Sequence, residues 1–164
     1  MNKIYFNIKD LFITQWKNDL NNDNRSSSTS KNKLRTYRLF KQKFGLEEYL
    51  TKLQNYELRN IMSKFRLGSH KLKIETGRHS KTPVEKRTCP TCIDQLEDEK
   101  HFIMYCKSYQ RDRECLFHYI SSKIPNFLTL DDNTKFTKIM SNNSCLIKLA
   151  QFIKIGLLTR QHPP

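Results

Sequence analysis

Apolar side chains recur every three to four positions along most of this chain, and that period predicts a mainly helical protein. Over residues 4–20 the stripe is Ile4, Ile8, Leu11, Phe12, Trp16 and Leu20, one face of an amphipathic helix. Residues 21–33 (NNDNRSSSTSKNK) then contain no apolar side chain, so a flexible polar linker is expected. The first helix, residues 1–20, is therefore a semi-detached element that must dock elsewhere to hide its apolar face.

From residue 34 apolar residues return, and residues 34–160 read as one helical domain. A short helix is expected over 46–53. Asn55 is a suitable N-cap for a second helix, with Leu58, Ile61, Met62 and Phe65 on one stripe. Gly68 should end that helix in the left-handed conformation. The sequence Lys71-Leu72-Lys73-Ile74-Glu75 alternates strictly, which predicts a short half-buried strand, with Thr76-Gly77 as the turn after it. Thr82-Pro83-Val84-Glu85 has the capping-box pattern with proline at the first helical position, and predicts one helical turn. Tyr109, Leu116, Phe117 and Ile120 mark a helix that stops before Pro125, and residues 145–158 a final apolar helix. The expected class is mainly α: a small helical domain with a short β element and a knuckle of cysteines.

Composition adds chemistry to this outline. The chain has 164 residues, 37% of them hydrophobic, and a formal charge of +14. No apolar run approaches the roughly 20 residues that cross a bilayer, and Lys9 and Asp10 interrupt any signal-peptide core. No membrane association is therefore expected, and the predicted location is intracellular, in nucleus or cytoplasm. Such a basic excess suits RNA or DNA as partner, through neutralised phosphates and released counterions. An odd count of five cysteines in a reducing compartment points to metal rather than a disulfide framework.

The cysteines carry the sharpest signal. Cys89, Cys92, His101 and Cys106 are spaced C-x2-C-x8-H-x4-C. Zinc accepts such soft ligands in a tetrahedron, with sulfur about 2.3 Å away. Three thiolates and an imidazole leave no open position, so one structural zinc ion is expected and no catalytic one. An ideal helix would point residues five apart about 140° away from each other. The helix carrying His101 should therefore tighten or end near Tyr105, letting Cys106 turn inward. Cys115 and Cys145 fall outside the spacing and are expected to be packing residues. His70, His118 and His162 are expected at the surface or in caps. Asp94, Glu97, Asp98 and Glu99 are expected to solvate their loop and favour the N-terminus of the next helix.

Two basic clusters are candidates for nucleic-acid contact. Lys31, Lys33, Arg35, Arg38, Lys41 and Lys43 are interleaved with Tyr37 and Phe40, and Lys71, Lys73, Arg78, His79, Lys81, Lys86 and Arg87 lead into the cysteines. Lysine and arginine neutralise phosphates, and exposed aromatic rings stack on unpaired bases.

The stretch KFRLGSHKLKIETGRHSKTPVEKRTCPTC, followed by EDEKHFIMYC, resembles the C-terminal zinc-binding segment of non-LTR retrotransposon reverse transcriptases. Arg66, Leu67 and His70, then Glu75, Thr76, Gly77 and Arg78, then Arg87, fill the positions of that pattern. Cys89, Cys92, Glu97, Asp98, Glu99, His101, Phe102 and Cys106 complete it. The match is specific over about residues 34–109 and looser toward both ends. It implies a helical tail module with a Cys-Cys-His-Cys zinc that helps such an element engage its RNA or target DNA. It also implies the rest of a reverse transcriptase as a partner. It implies no polymerase activity here, since no Asp-Asp follows a tyrosine, and a fragment or a host-retained relative is expected. The reading that follows is a non-catalytic nucleic-acid-binding module. The alternative is a zinc-stabilised interaction module whose first and last helices dock on a polymerase body.

Overall fold

The structure is a computed structural model and describes residues 2–21 and 33–161. The predicted linker therefore lies outside the described residues except for its two ends, as do Lys31 and His162. Helices account for the architecture. They are α1 (Asn2–Asn21), α2 (Tyr37–Phe40), α3 (Tyr49–Lys52), α4 (Tyr56–Arg66), α5 (Lys73–His79), α6 (Glu99–Met104), α7 (Gln110–Ser121), α8 (Asp132–Ser141) and α9 (Leu146–Gln161). None is long and apolar enough to cross a membrane.

Local chemistry sets the helix ends. Asn55 caps α4 by accepting from Leu58 N–H at 3.0 Å, which satisfies an otherwise orphaned donor. The other end closes through Gly68 at φ 60°, with Ser69 N–H donating to the Lys64 carbonyl at 2.7 Å. Glycine is required there twice over. It relieves the left-handed backbone, and a Cβ would sit 2.7 Å from the Lys33 carbonyl oxygen. Asp131 caps α8 through Asn133 and Thr134 N–H.

The core forms where α4 and α7 pack on α9, while α8 lies against α2, α6 and α9. Helix α9 is apolar on several sides because several helices bury it: Leu149, Ala150 and Ile153 are completely covered. Phe102 of α6 sits among Phe65, Tyr109 and Phe152, with ring centroids 4.7–5.6 Å away. Edge-to-face and tilted contacts of this kind add to the area they bury. Helix α1 docks through its C-terminal half. Leu20 is buried and Trp16 meets Phe44 edge-on at 5.7 Å, while Ile8, Leu11 and Phe12 stay exposed.

The expected strand over 71–75 is corrected. Among the described residues no strand forms, and the one extended pairing is an isolated antiparallel bridge between Thr88 and Leu96. The alternation itself is real, because Leu72 and Ile74 are buried while Lys71 and Lys73 are exposed. It arises from an extended N-cap residue, Leu72, followed by the first turn of α5. A strand there would need a neighbouring strand to take its hydrogen bonds, whereas here Glu75 and Thr76 N–H donate to the Leu72 carbonyl and the Lys73 and Ile74 N–H groups donate to Glu97. Gly77 is likewise not in a turn but inside α5, where a Cβ would meet the Arg87 side chain at 2.6 Å.

Candidate metal centre

Two short local structures bring four ligands together. The first is a tight loop in which Cys89 N–H donates to the Gln95 carbonyl (2.7 Å) and Gln95 N–H to the Cys92 carbonyl (3.0 Å). Asp94 turns its tip at φ 65°, a conformation that short polar side chains tolerate. The second is α6, which starts where Asp98 accepts from His101 N–H at 2.7 Å. It ends at Tyr105, where both Tyr105 and Cys106 N–H donate to the His101 carbonyl at 2.9 Å. That shared acceptor widens the last turn. The break in helical phase lets Cys106 face the same point as His101.

All four ligand atoms lie within 4.8 Å of one another, and all four residues are buried. Cys106 Sγ is 3.7 Å from Cys89 Sγ and 4.0 Å from Cys92 Sγ. Main-chain donors point at the sulfurs: Cys92 N–H toward Cys89 Sγ at 3.4 Å, and Lys107 N–H toward Cys92 Sγ at 3.3 Å. His101 Nε2 is buried with no hydrogen-bond partner, a state that costs free energy unless a ligand fills it. Burial lowers the His101 pKa and favours its neutral form. Burial also pushes the Cys106 thiol up to about 12, with the neighbouring Cys89 adding to it. A bound cation reverses that preference by taking the place of the proton. The cluster is a candidate centre for one metal ion.

Arg113 completes the surroundings. It lies on the apolar stripe of α7 between Tyr109, Leu116 and Ile120, is buried, and donates from Nη2 to the Cys106 carbonyl at 2.7 Å. Its guanidinium acts electrostatically on Cys106 and Cys92. A divalent ion held by three thiolates would carry one net negative charge, which Arg113 would balance. Outer partners of this kind are typically worth about 10–100-fold in metal affinity. Arg113→Gln should therefore speed metal transfer to a competing chelator by at least about tenfold. An unchanged transfer rate would show that the charge is irrelevant to the centre. An arginine inside an apolar helical stripe was the sequence signal for this residue.

The other candidate residues separate into internal and external sets. Cys115 is exposed and Cys145 buried, both outside the cluster, and His118 is exposed. His70 is corrected from surface to core: its Nε2 lies 2.7 Å from Glu99 Oε1, with both side chains fully covered. Glu97 and Glu99 are corrected too, since neither solvates the loop. Glu97 accepts from Lys73 N–H at 2.7 Å and pairs with Arg160. Glu99 pairs with Arg35 at 2.7 Å. Asp98 caps α6, as expected of an acid there.

Of the basic and aromatic candidates, Arg35 also meets Glu75 at 2.5 Å, and Arg78 meets Glu75 at 2.9 Å. Arg87 is buried and donates to the Thr82 and Ile74 carbonyls. Tyr37 and Phe40 are buried, with Tyr37 Oη donating to Glu47 at 2.7 Å. Lys41 pairs with Glu47 at 3.0 Å, and Arg38 is half-buried. Lys33, Lys43, Lys71, Lys73, His79, Lys81 and Lys86 are exposed.

No protein-family model matches the chain, and neither the curated proteins nor the solved structures contain a match.

Proposed function

We propose that this chain is a non-catalytic module, stapled by one structural zinc ion, that binds nucleic acid through the lysine face next to its metal loop. Zinc is the ion that the donor set favours, because three thiolates and an imidazole are soft, and tetrahedral zinc imposes no further geometry. A tetrahedron with zinc–sulfur bonds of about 2.3 Å has sulfur–sulfur edges of about 3.8 Å. The separations of 3.7 and 4.0 Å bracket that edge. Four protein ligands leave no position for an activated water, which argues against a zinc hydrolase.

The observation that carries the binding role is how the metal loop clamps α5. Glu97, between the cysteine loop and α6, accepts from Lys73 N–H, and its carbonyl accepts from Ile74 N–H at 3.1 Å. Arg87 closes the clamp by donating to the Ile74 carbonyl at 3.0 Å. The limb held this way presents Lys71, Lys73, Lys81 and Lys86, none of which makes an ion pair among the described residues. Lys81 holds φ 56° in the turn that closes α5, where Thr82 N–H donates to the Gly77 carbonyl at 2.8 Å, and this stop fixes its place on the limb. The resemblance to retrotransposon reverse transcriptase tails supports the same reading, with RNA or target DNA as partner.

Replacing Lys71, Lys73, Lys81 and Lys86 together by Gln should flatten the log–log salt dependence of binding by about three to four, at about 0.7 (single strand) to 0.9 (duplex) for each phosphate neutralised. Fluorescence anisotropy with a labelled strand across a salt series measures it. An unchanged slope would assign these lysines to solvated surface. Arg35 and Lys41 are unsuitable for this test because each already holds a carboxylate. The alternative, a zinc-stabilised module that docks on a protein such as a polymerase body, is favoured by the exposed Ile8, Leu11 and Phe12. It requires self-association or aggregation of the isolated chain, which sedimentation detects.

A further inference from the structure

The chain interleaves aromatic residues with its first basic cluster, and the structure sorts them. Tyr37 and Phe40 are buried, whereas Phe44 is 47% exposed. Phe44 helps line a cavity of about 540 Å³ together with Lys41, Lys43, Tyr49 and Arg66. On another side it borders a second depression, of about 390 Å³, with Ile8, Lys9 and Phe12. The larger volume lies within the range of about 300–1,000 Å³ typical of small-ligand sites.

The lining has a definite chemistry. The Arg66 guanidinium lies 4.2 Å from the Phe40 ring centroid and 5.0 Å from that of Tyr49. It bonds the Met140 carbonyl at 2.5 Å and Glu47 at 2.8 Å. It is 4% exposed, and its Nε–H has no partner. Glu47 and Glu48 also line the cavity, but each is already engaged: Glu47 by Arg66, Lys41 and Tyr37, and Glu48 by Lys52 and Asn143. Lys43 and Lys9 are exposed and make no ion pair among the described residues. The site thus offers a ring edged by apolar and hydrogen-bonding groups, between two uncommitted cations.

We infer that Phe44 and this cavity form a subsite for one unpaired base of single-stranded nucleic acid, with the flanking phosphates at Lys43 and Lys9. This inference rests on the proposed nucleic-acid-binding role and deepens it by naming the strand state. A base has π faces to stack and an edge of donors and acceptors to satisfy, and its backbone supplies the anions. A duplex keeps its bases stacked on each other and has no use for an exposed ring beside a cavity. Gly45 at φ 135° lets the loop turn directly after Phe44, so the ring is presented at a bend and not along a helix.

Trp16, the chain's single tryptophan, touches Phe44 at 5.7 Å and serves as a built-in reporter. The test titrates the full chain, loaded with zinc, with oligo(dT), with oligo(rU), and with each strand annealed to its complement. Both single strands should change Trp16 emission and bind more tightly than the duplexes. Phe44→Leu should weaken single-strand binding by about 5- to 150-fold, the effect of one lost stacked base, while leaving the salt slope unchanged. Phe44→Tyr should retain it. Tight binding by Phe44→Leu, or duplexes competing equally with no Trp16 response, would overturn the subsite while leaving nucleic-acid binding intact. Failure of the native chain to bind any of the four probes would overturn both.

Discussion

Stripping the metal should unfold residues 88–109 and abolish cooperative melting of the domain around them. Between the first and last ligand the chain forms one isolated bridge, one six-residue helix and a few turns, too little to persist alone. Yet α6 contributes Phe102, Ile103 and Met104 to the core, each at most 7% exposed. Phe102 also joins α4, Tyr109 just before α7, and α9 through its ring contacts, so loss of α6 opens the centre of the molecule. Zinc binding to small peptides supplies an apparent 10–16 kcal/mol or so at neutral pH, comparable with or above the stability of about 5–15 kcal/mol of a whole domain. Without the ion, the Cys106 thiol keeps its proton, and His101 Nε2 has nothing to bond. Chelator treatment, or Cys106→Ser, should erase hydrogen-exchange protection in α6 and the near-ultraviolet circular dichroism of its aromatic neighbours. Elemental analysis should find one zinc per native chain and less in the variant. A Cys106→Ser chain with stoichiometric zinc and an unchanged melt would remove this residue from the centre.

The parts of this molecule that are legible in the sequence are those whose logic is local. The four ligands lie within eighteen residues, so spacing alone assembles them. The helical break at Tyr105 follows from 3.6 residues per turn meeting a ligand pair five apart. The Asn55 cap and the Gly68 stop are single-residue signals, and both end helices where expected. What was not legible depends on distant partners. Arg35 reads as a nucleic-acid contact, His70 as a surface or capping residue and Glu99 as solvated charge, because the partners that bury them are 29 to 64 residues away. The five-residue alternation at 71–75 fits a strand or a helix start equally well, and only the buried Glu75 and the close approach of Arg87 to Gly77 decide it. Helix α8 carries a signal of the same local kind: Asp131 as cap, then Phe136, Ile139 and Met140 on one face.

That distant network makes the second large effect. Glu99 is completely buried and holds Arg35 at 2.7 Å and His70 at 2.7 Å. Burial alone would raise its pKa, but the His70 hydrogen bond and the Arg35 charge outweigh it and hold the carboxyl below its ordinary range. Arg35 in turn reaches Glu75, which Arg78 also holds. One carboxylate at the start of the helix that carries His101 thus ties together residue 35, the turn after α4, and α5. Removing one member of a buried charged set leaves its partners uncompensated, at about 3–5 kcal/mol. Glu99→Gln keeps the volume and removes the charge, so it should destabilise by about that amount in a urea melt of the zinc-loaded chain. Arg35→Met should cost less in the Glu99→Gln background than it does alone, because its contact with Glu99 is then already lost, whereas the pair with Glu75 is lost in both cases. The coupling between the two changes should be on the order of 0.5–3 kcal/mol. If the single changes simply add, Arg35 and Glu99 do not act on each other, and Arg35 is held to the helical domain through Glu75.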